Sequence, residues 1–223
     1  MDYVAYGVWV NSIHGMKLGV VMKSINFKNI VFILTVLVLP QAKAVVSPEG
    51  VFKKNCYMQN DDAISEQIQV LQLNPNEQKW NHTYMAYEDE ACAKMYLKYE
   101  INYLAQLTPG NTDGFSIVSN VDFKVQSVVY TALTKSVAHS LNYIGFCGYT
   151  KWTALTPVDV TGLNCQDVQQ LAKDHVIYST VQFNSSSTEL NDIVSLQIGQ
   201  PTQDEFGETP ETRLKSMSDV YLK

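Results

Sequence analysis

The sequence predicts a mainly β protein: an antiparallel up-and-down β-barrel with one short helix and two disulfides. Three observations predict it. Apolar residues alternate with period two along most of the chain. The alternating runs are joined by short loops dense in turn formers. Four cysteines, an even number, follow a leader of the export type.

The clearest alternation is "MYLKYEINYLAQL". Met95, Leu97, Tyr99, Ile101, Tyr103, Ala105 and Leu107 fall on one face. Tyr96, Lys98, Glu100, Asn102 and Gln106 fall on the other, with Leu104 the exception. A long half-buried strand is expected there. "TPGNTDG" (108–114) follows as a turn. "FSIVSNVDFKVQSVVY" then resumes as strand, with Val121, Phe123 and Val125 alternating with Asp122, Lys124 and Gln126. Upstream, "QIQVLQL" (67–73) and "KWNHTYMAYE" (79–88) form a hairpin across "NPNEQ". Downstream, "HVIYSTVQF" (175–183) and "IVSLQIG" (193–199) form another.

Two stretches depart from period two. "LTKSVAHSLNYIG" (133–145) places Leu133, Val137 and Leu141 four apart, with Thr134 as N-cap and Gly145 at the end, which predicts an amphipathic helix. A second helical turn is expected at "CQDVQQLAKD" (165–174). The polar tail ends in "VYLK", expected to pack back as a last edge strand. Seven or eight strands and one helix in about 180 residues suggest a barrel or sandwich. Short connections between consecutive strands favour up-and-down order.

The leader sets the compartment. In "MKSINFKNIVFILTVLVLPQAKA", Lys23 and Lys28 precede the uncharged apolar run 30–40, and Ala42-Lys43-Ala44 presents small residues for cleavage. This reads as a secretory signal peptide cleaved after Ala44. The run is about half of the ~20 residues a spanning helix needs. Residues 1–44 are therefore read as an upstream extension plus signal peptide, and 45–223 as a single domain without a transmembrane segment. A secreted or periplasmic location follows.

Removing Lys17, Lys23, Lys28, Lys43 and Asp2 from totals of 16 basic and 22 acidic residues leaves 12 and 21, a net charge of −9. Such a chain, with Arg213 its single arginine, lacks the basic patch that nucleic acid or an anionic membrane requires. Cys56, Cys92, Cys147 and Cys165 allow three pairings. The nearest-neighbour pairing, 56–92 and 147–165, is preferred because each bond brackets one local module. Closing an 18-residue loop contributes about 3 kcal/mol on chain-entropy grounds.

At these residues the chain resembles the lipocalin-like, or calycin-type, secreted barrels. Gly50-Val51-Phe52 resembles the Gly-x-Trp that opens the first lipocalin strand, with Phe in place of Trp. Cys56 followed by "YEDEAC" before a long strand resembles the spacing in the APCDD-type Wnt-inhibitor ectodomains. "LNYIGFCGYTKWTALTPVDVTGLNC" resembles segments of exported bacterial lipocalin-like proteins. The lipocalin Thr-Asp-Tyr triplet is absent, and the helix falls mid-chain rather than after the barrel strands. The resemblance implies a lipocalin-like barrel.

Function is read from the aromatics. Tyrosines inside an eight-stranded barrel give an apolar wall with polar tips, suited to a small apolar or amphipathic ligand. Tyr84, Tyr99, Tyr103, Phe123, Trp152 and Tyr178 are the candidate ligand-binding residues. One alternative is a protein-interaction module using the Cys147–Cys165 loop, with Trp152 as its anchor. A second is a secreted hydrolase, which needs titratable groups converging in one cleft. No nucleophile elbow, phosphate loop or dinucleotide fingerprint occurs. His82, His139 and His175 lack metal-ligand spacing, so no metal and no cofactor are expected. Glu88-Asp89-Glu90 and the Asn111, Asp113, Gly114 group read as solvated loops rather than calcium sites. Asn81-His82-Thr83 and Asn184-Ser185-Ser186 are glycosylation sequons if the host is eukaryotic.

Overall fold

The computed structural model describes residues 10–11, 17–18, 48–59, 62–74, 77–166, 168–187, 192–202 and 207–223. The chain divides into two compact units, Met1–Ala44 and Val45–Lys223. In the first, Val10–Asn11 pairs antiparallel with Lys17–Leu18. The expected signal peptide, 22–44, lies outside the described residues.

The second unit is a closed antiparallel barrel of eight strands. Five strands follow one another: β1 (Gly50–Gln59), β2 (Asp62–Asn74), β3 (Glu77–Tyr87), β4 (Met95–Thr112) and β5 (Ser116–Ala132). A lobe then carries the helix α1 (Lys135–Tyr143) and a short strand β6 (Pro157–Asp159). The chain returns through β7 (Val176–Ser185), β8 (Ile193–Gln200) and the two-residue β9 (Tyr221–Leu222). Each barrel strand pairs with its neighbour in order, and β7 also pairs with β5 while β9 pairs with β1. The segment "VYLK" is thus the closing strand rather than an edge.

Alternation explains the core. Trp80, Ile101, Tyr103, Ala105, Val121, Phe123, Val181, Phe183 and Leu196 are buried together. Two bulges reverse the phase. On β5, Asn102 faces Ser127 but Tyr103 faces Val125, so Gln126 is the extra residue. Val121, Phe123 and Val125 point inward before it, and Val128 and Ala132 after it. On β1, the register shifts between Lys54 and Tyr57, and Cys56 sits at that bulge.

The expected turn at 108–114 is narrower. β4 continues to Thr112, and Asp113 makes the turn by accepting from the Ser116 amide and hydroxyl at 2.9 and 2.7 Å. Gly110 permits this continuation, because a Cβ there would lie 1.7 Å from the Val118 carbonyl oxygen.

The helix forms as its pattern predicts. The Thr134 hydroxyl caps the Val137 amide at 3.2 Å, Ala138 and Leu141 are buried, and Gly145 ends the segment in the left-handed region. The second expected helical turn is absent. Asn164–Cys165 instead pairs with Val168–Gln169 as a two-residue ribbon. The disulfide at Cys165 and a left-handed Gln166 reverse the chain there. The bonds are Cys56–Cys92 and Cys147–Cys165, the nearest-neighbour pairing.

The polar tail is stitched in by Arg213, which is buried. Its guanidinium donates to the Val121 and Ser179 carbonyls at 2.8 and 2.9 Å and pairs with Asp122 at 2.8 Å. Leu214 then bonds β7 where β8 is not its neighbour: Leu214 N reaches Tyr178 O, and Thr180 N reaches Leu214 O. Among the described residues no helix is long and apolar enough to cross a membrane.

Gly199 tests this seam. A Cβ there would lie 2.1 Å from the Leu214 carbonyl oxygen. Gly199→Ala is expected to cost about 1–3 kcal/mol, as overpacking does. A thermal melt unchanged from the parent would refute the close approach.

Candidate functional site

The barrel register brings one carboxylate to the interior. On β2, Glu66, Ile68 and Val70 share the buried phase, so Glu66 puts a charge in line with an apolar row. Lys54 is its cross-strand partner on β1, and His82 and Tyr84 come from β3 on the other side. Tyr221 arrives from β9.

Lys54, His82 and Tyr221 turn toward Glu66, as does Tyr57 from β1. The His82 Nε2 lies 2.8 Å from Oε2, the Tyr221 hydroxyl donates to the same oxygen at 2.5 Å, and the Tyr57 hydroxyl donates to Oε1. Lys54 Nζ stands 3.7 Å from Oε1, 2.9 Å from the exposed Asp219 carboxylate and 3.7 Å above the Tyr57 ring. Burial alone would raise the Glu66 pKa. Hydrogen bonds from His82, Tyr221 and Tyr57 outweigh it and bring the group down to about 2. The Tyr57 and Tyr221 phenols shift upward, first through burial and then through donating to Glu66.

Tyr84 stacks on His82 with ring centroids 4.2 Å apart, and its hydroxyl faces Nδ1 at 3.3 Å. Both ring nitrogens of His82 therefore face a partner, the Glu66 carboxylate on one side and the Tyr84 hydroxyl on the other.

This cluster forms one side of a half-open cavity of about 490 Å³. Ile68, Trp80, Tyr103, Phe123, Ile177 and Ile198 supply an apolar wall. Gly199, Pro201, Leu214 and Ser218 border it where β8 diverges from β7 and the tail fills the gap.

Of the six sequence candidates, Tyr84, Tyr103 and Phe123 line the cavity. Tyr99, Trp152 and Tyr178 do not. Tyr99 lies one ring behind the wall, between Tyr84 at 5.6 Å and Tyr130 at 4.6 Å. From Tyr130 an aromatic column continues through Phe146 to Trp152. Trp152 is buried under the lobe, where Asn142 clamps its backbone N–H and C=O at 2.6 and 2.9 Å. It is therefore neither a cavity residue nor an exposed anchor. Tyr178 has the opposite phase to the lining residues Ile177 and Ser179, and packs under Arg213.

Sequence reasoning missed Glu66, Lys54, Tyr57 and Tyr221. A signal for Glu66 existed: a charge on the apolar phase of a period-two row. The lobe exposes Tyr143, Ile144 and Leu155. Among the described residues no group of three His, Cys, Asp or Glu side chains is placed to hold a metal. Compared with protein-family models and with curated protein sequences, the chain matches none.

The depressed carboxyl fixes a pH dependence. Glu66 contributes stability that is fully present above the ordinary carboxylate value of 4.5 and is lost as pH falls through about 2. Glu66→Gln is expected to lose about 2–3 kcal/mol at pH 7, the scale of hydrogen bonds to a charged group. Its difference from the parent is expected to shrink between pH 4.5 and 2. Urea midpoints across that range measure it, and a constant difference would contradict the assignment.

Proposed function

We propose that the barrel binds one small amphipathic molecule in this cavity. The observation that carries the reading is a space of about 490 Å³ with an apolar wall and a single polar cluster. Small-molecule sites are typically ~300–1,000 Å³ with few convergent polar groups. The ligand's apolar body would lie against Trp80, Phe123 and Ile198, with its polar end toward Glu66 and the tyrosines. The eight-stranded closed barrel and Gly50-Val51-Phe52 on β1 support a lipocalin-like affiliation for this carrier. The two disulfides, together with the leader in the sequence, support a secreted or periplasmic protein.

The cluster favours binding over hydrolysis. Lys54, His82, Tyr57 and Tyr221 all engage the Glu66 carboxylate, and a carboxyl near 2 is neither an acid nor an effective base at neutral pH. A second reading, an interaction module, rests on the exposed Tyr143, Ile144 and Leu155 beside the Cys147–Cys165 bond rather than on Trp152.

Native mass spectrometry of residues 45–223 from an exporting host, without reductant, tests the carrier reading. A dissociable small-molecule mass at one per chain is expected. Ile198→Trp, which fills the cavity, is expected to lose that mass while keeping both disulfides. A parent that neither carries nor takes up small amphipaths, or an adduct retained by Ile198→Trp, would overturn it.

A further inference from the structure

The cavity's own bonding restricts what it can hold, and this step rests on the carrier reading above. Lys54 stands between the Glu66 and Asp219 carboxylates, and Glu66 already accepts from His82, Tyr57 and Tyr221. His82 has both nitrogens occupied, by Glu66 and by the Tyr84 hydroxyl. Neither a cationic nor an anionic ligand would find a free counter-charge there. Burying an unpaired charge is strongly unfavourable.

Among the described residues, one hydroxyl of the aromatic wall is not committed. Tyr103 is 9 % exposed and lines the cavity, with its ring 5.2 Å from Phe123. Its hydroxyl has no hydrogen-bond partner among the described residues, whereas the hydroxyls of Tyr57, Tyr84 and Tyr221 are all engaged. Burial pushes the Tyr103 phenol upward, so at neutral pH it keeps its proton and can donate. The hydroxyl is thus open to a group that enters the cavity.

We infer that the ligand is an uncharged ring-bearing molecule whose one hydroxyl or carbonyl hydrogen-bonds the Tyr103 hydroxyl. Trp80 and Phe123, in edge contact at 5.0 Å, provide the adjoining aromatic surface for the ring.

Four probes sharing one ring system test this by calorimetry: naphthalene, 2-naphthol, 2-naphthoate and 2-naphthylmethylammonium. At pH 7, 2-naphthol is expected to bind at least tenfold more tightly than either ion. Tyr103→Phe is expected to weaken 2-naphthol about fivefold, the scale of one neutral hydrogen bond. Naphthalene should bind the variant and the parent alike, which also establishes that the variant cavity is intact. An ion binding as tightly as 2-naphthol would overturn the uncharged assignment. A Tyr103→Phe protein with unchanged 2-naphthol affinity would overturn the role of Tyr103. If no probe binds the parent at all, the carrier reading falls, and this inference falls with it.

Discussion

The closed barrel depends on one buried carboxylate. β9 has two residues and meets β1 at a single register pair, Leu222 with Lys53. Backbone pairing that short is a weak seam. Side chains reinforce it from within. Tyr221 and Glu66, 155 residues apart in sequence, share a hydrogen bond of 2.5 Å, and Lys54 joins the same carboxylate to Asp219. Satisfying Glu66 therefore draws β1, β2, β3 and β9 to one point. A buried carboxylate lacking these donors would carry a large desolvation cost, so the cluster is favourable only when complete. The same cluster also forms one side of the cavity.

The rest of the interior divides between space and filling. Around Trp80, Tyr103 and Phe123 the barrel keeps a cavity. Beyond Tyr84, the rings of Tyr99, Tyr130, Phe146 and Trp152 form a packed column leading to the lobe. The lobe adds its own restraints: the Thr134 cap, the Asn142 clamp on Trp152 and the Cys147–Cys165 bond. The segment between those cysteines is thus a covalently closed cap over the aromatic column, with β6 paired to residues 129–131 near the end of β5.

Much of the architecture was legible because period two survives in it. Met95 to Leu107 marked β4, the spacing of Leu133, Val137 and Leu141 marked α1, and the cysteine pairing followed from sequence proximity. The site was less legible because bulges and short closures carry no periodic signal. The register shift after Lys54 puts Tyr57 in the cavity although it is three residues on. Tyr178 looked equivalent to Tyr84, but β7 has apolar residues on both phases, and packing chose Ile177 and Ser179 for the interior. Trp152 was visible as an aromatic but not as a buried one, since the Asn142 clamp is a contact between a helix and a loop. Arg213 sat in a segment that read as a polar tail. Its burial depends on the parting of β8 from β7, which no local pattern encodes.

A double-mutant cycle between Glu66→Gln and Tyr221→Phe, read from urea denaturation at pH 7, tests the central claim most directly. If the carboxylate and the closing strand are held together as described, the two substitutions are coupled by about 1.5–3 kcal/mol, as expected for a hydrogen bond to a charged group. Additive effects would contradict the account, because Glu66 would then not be what closes the barrel.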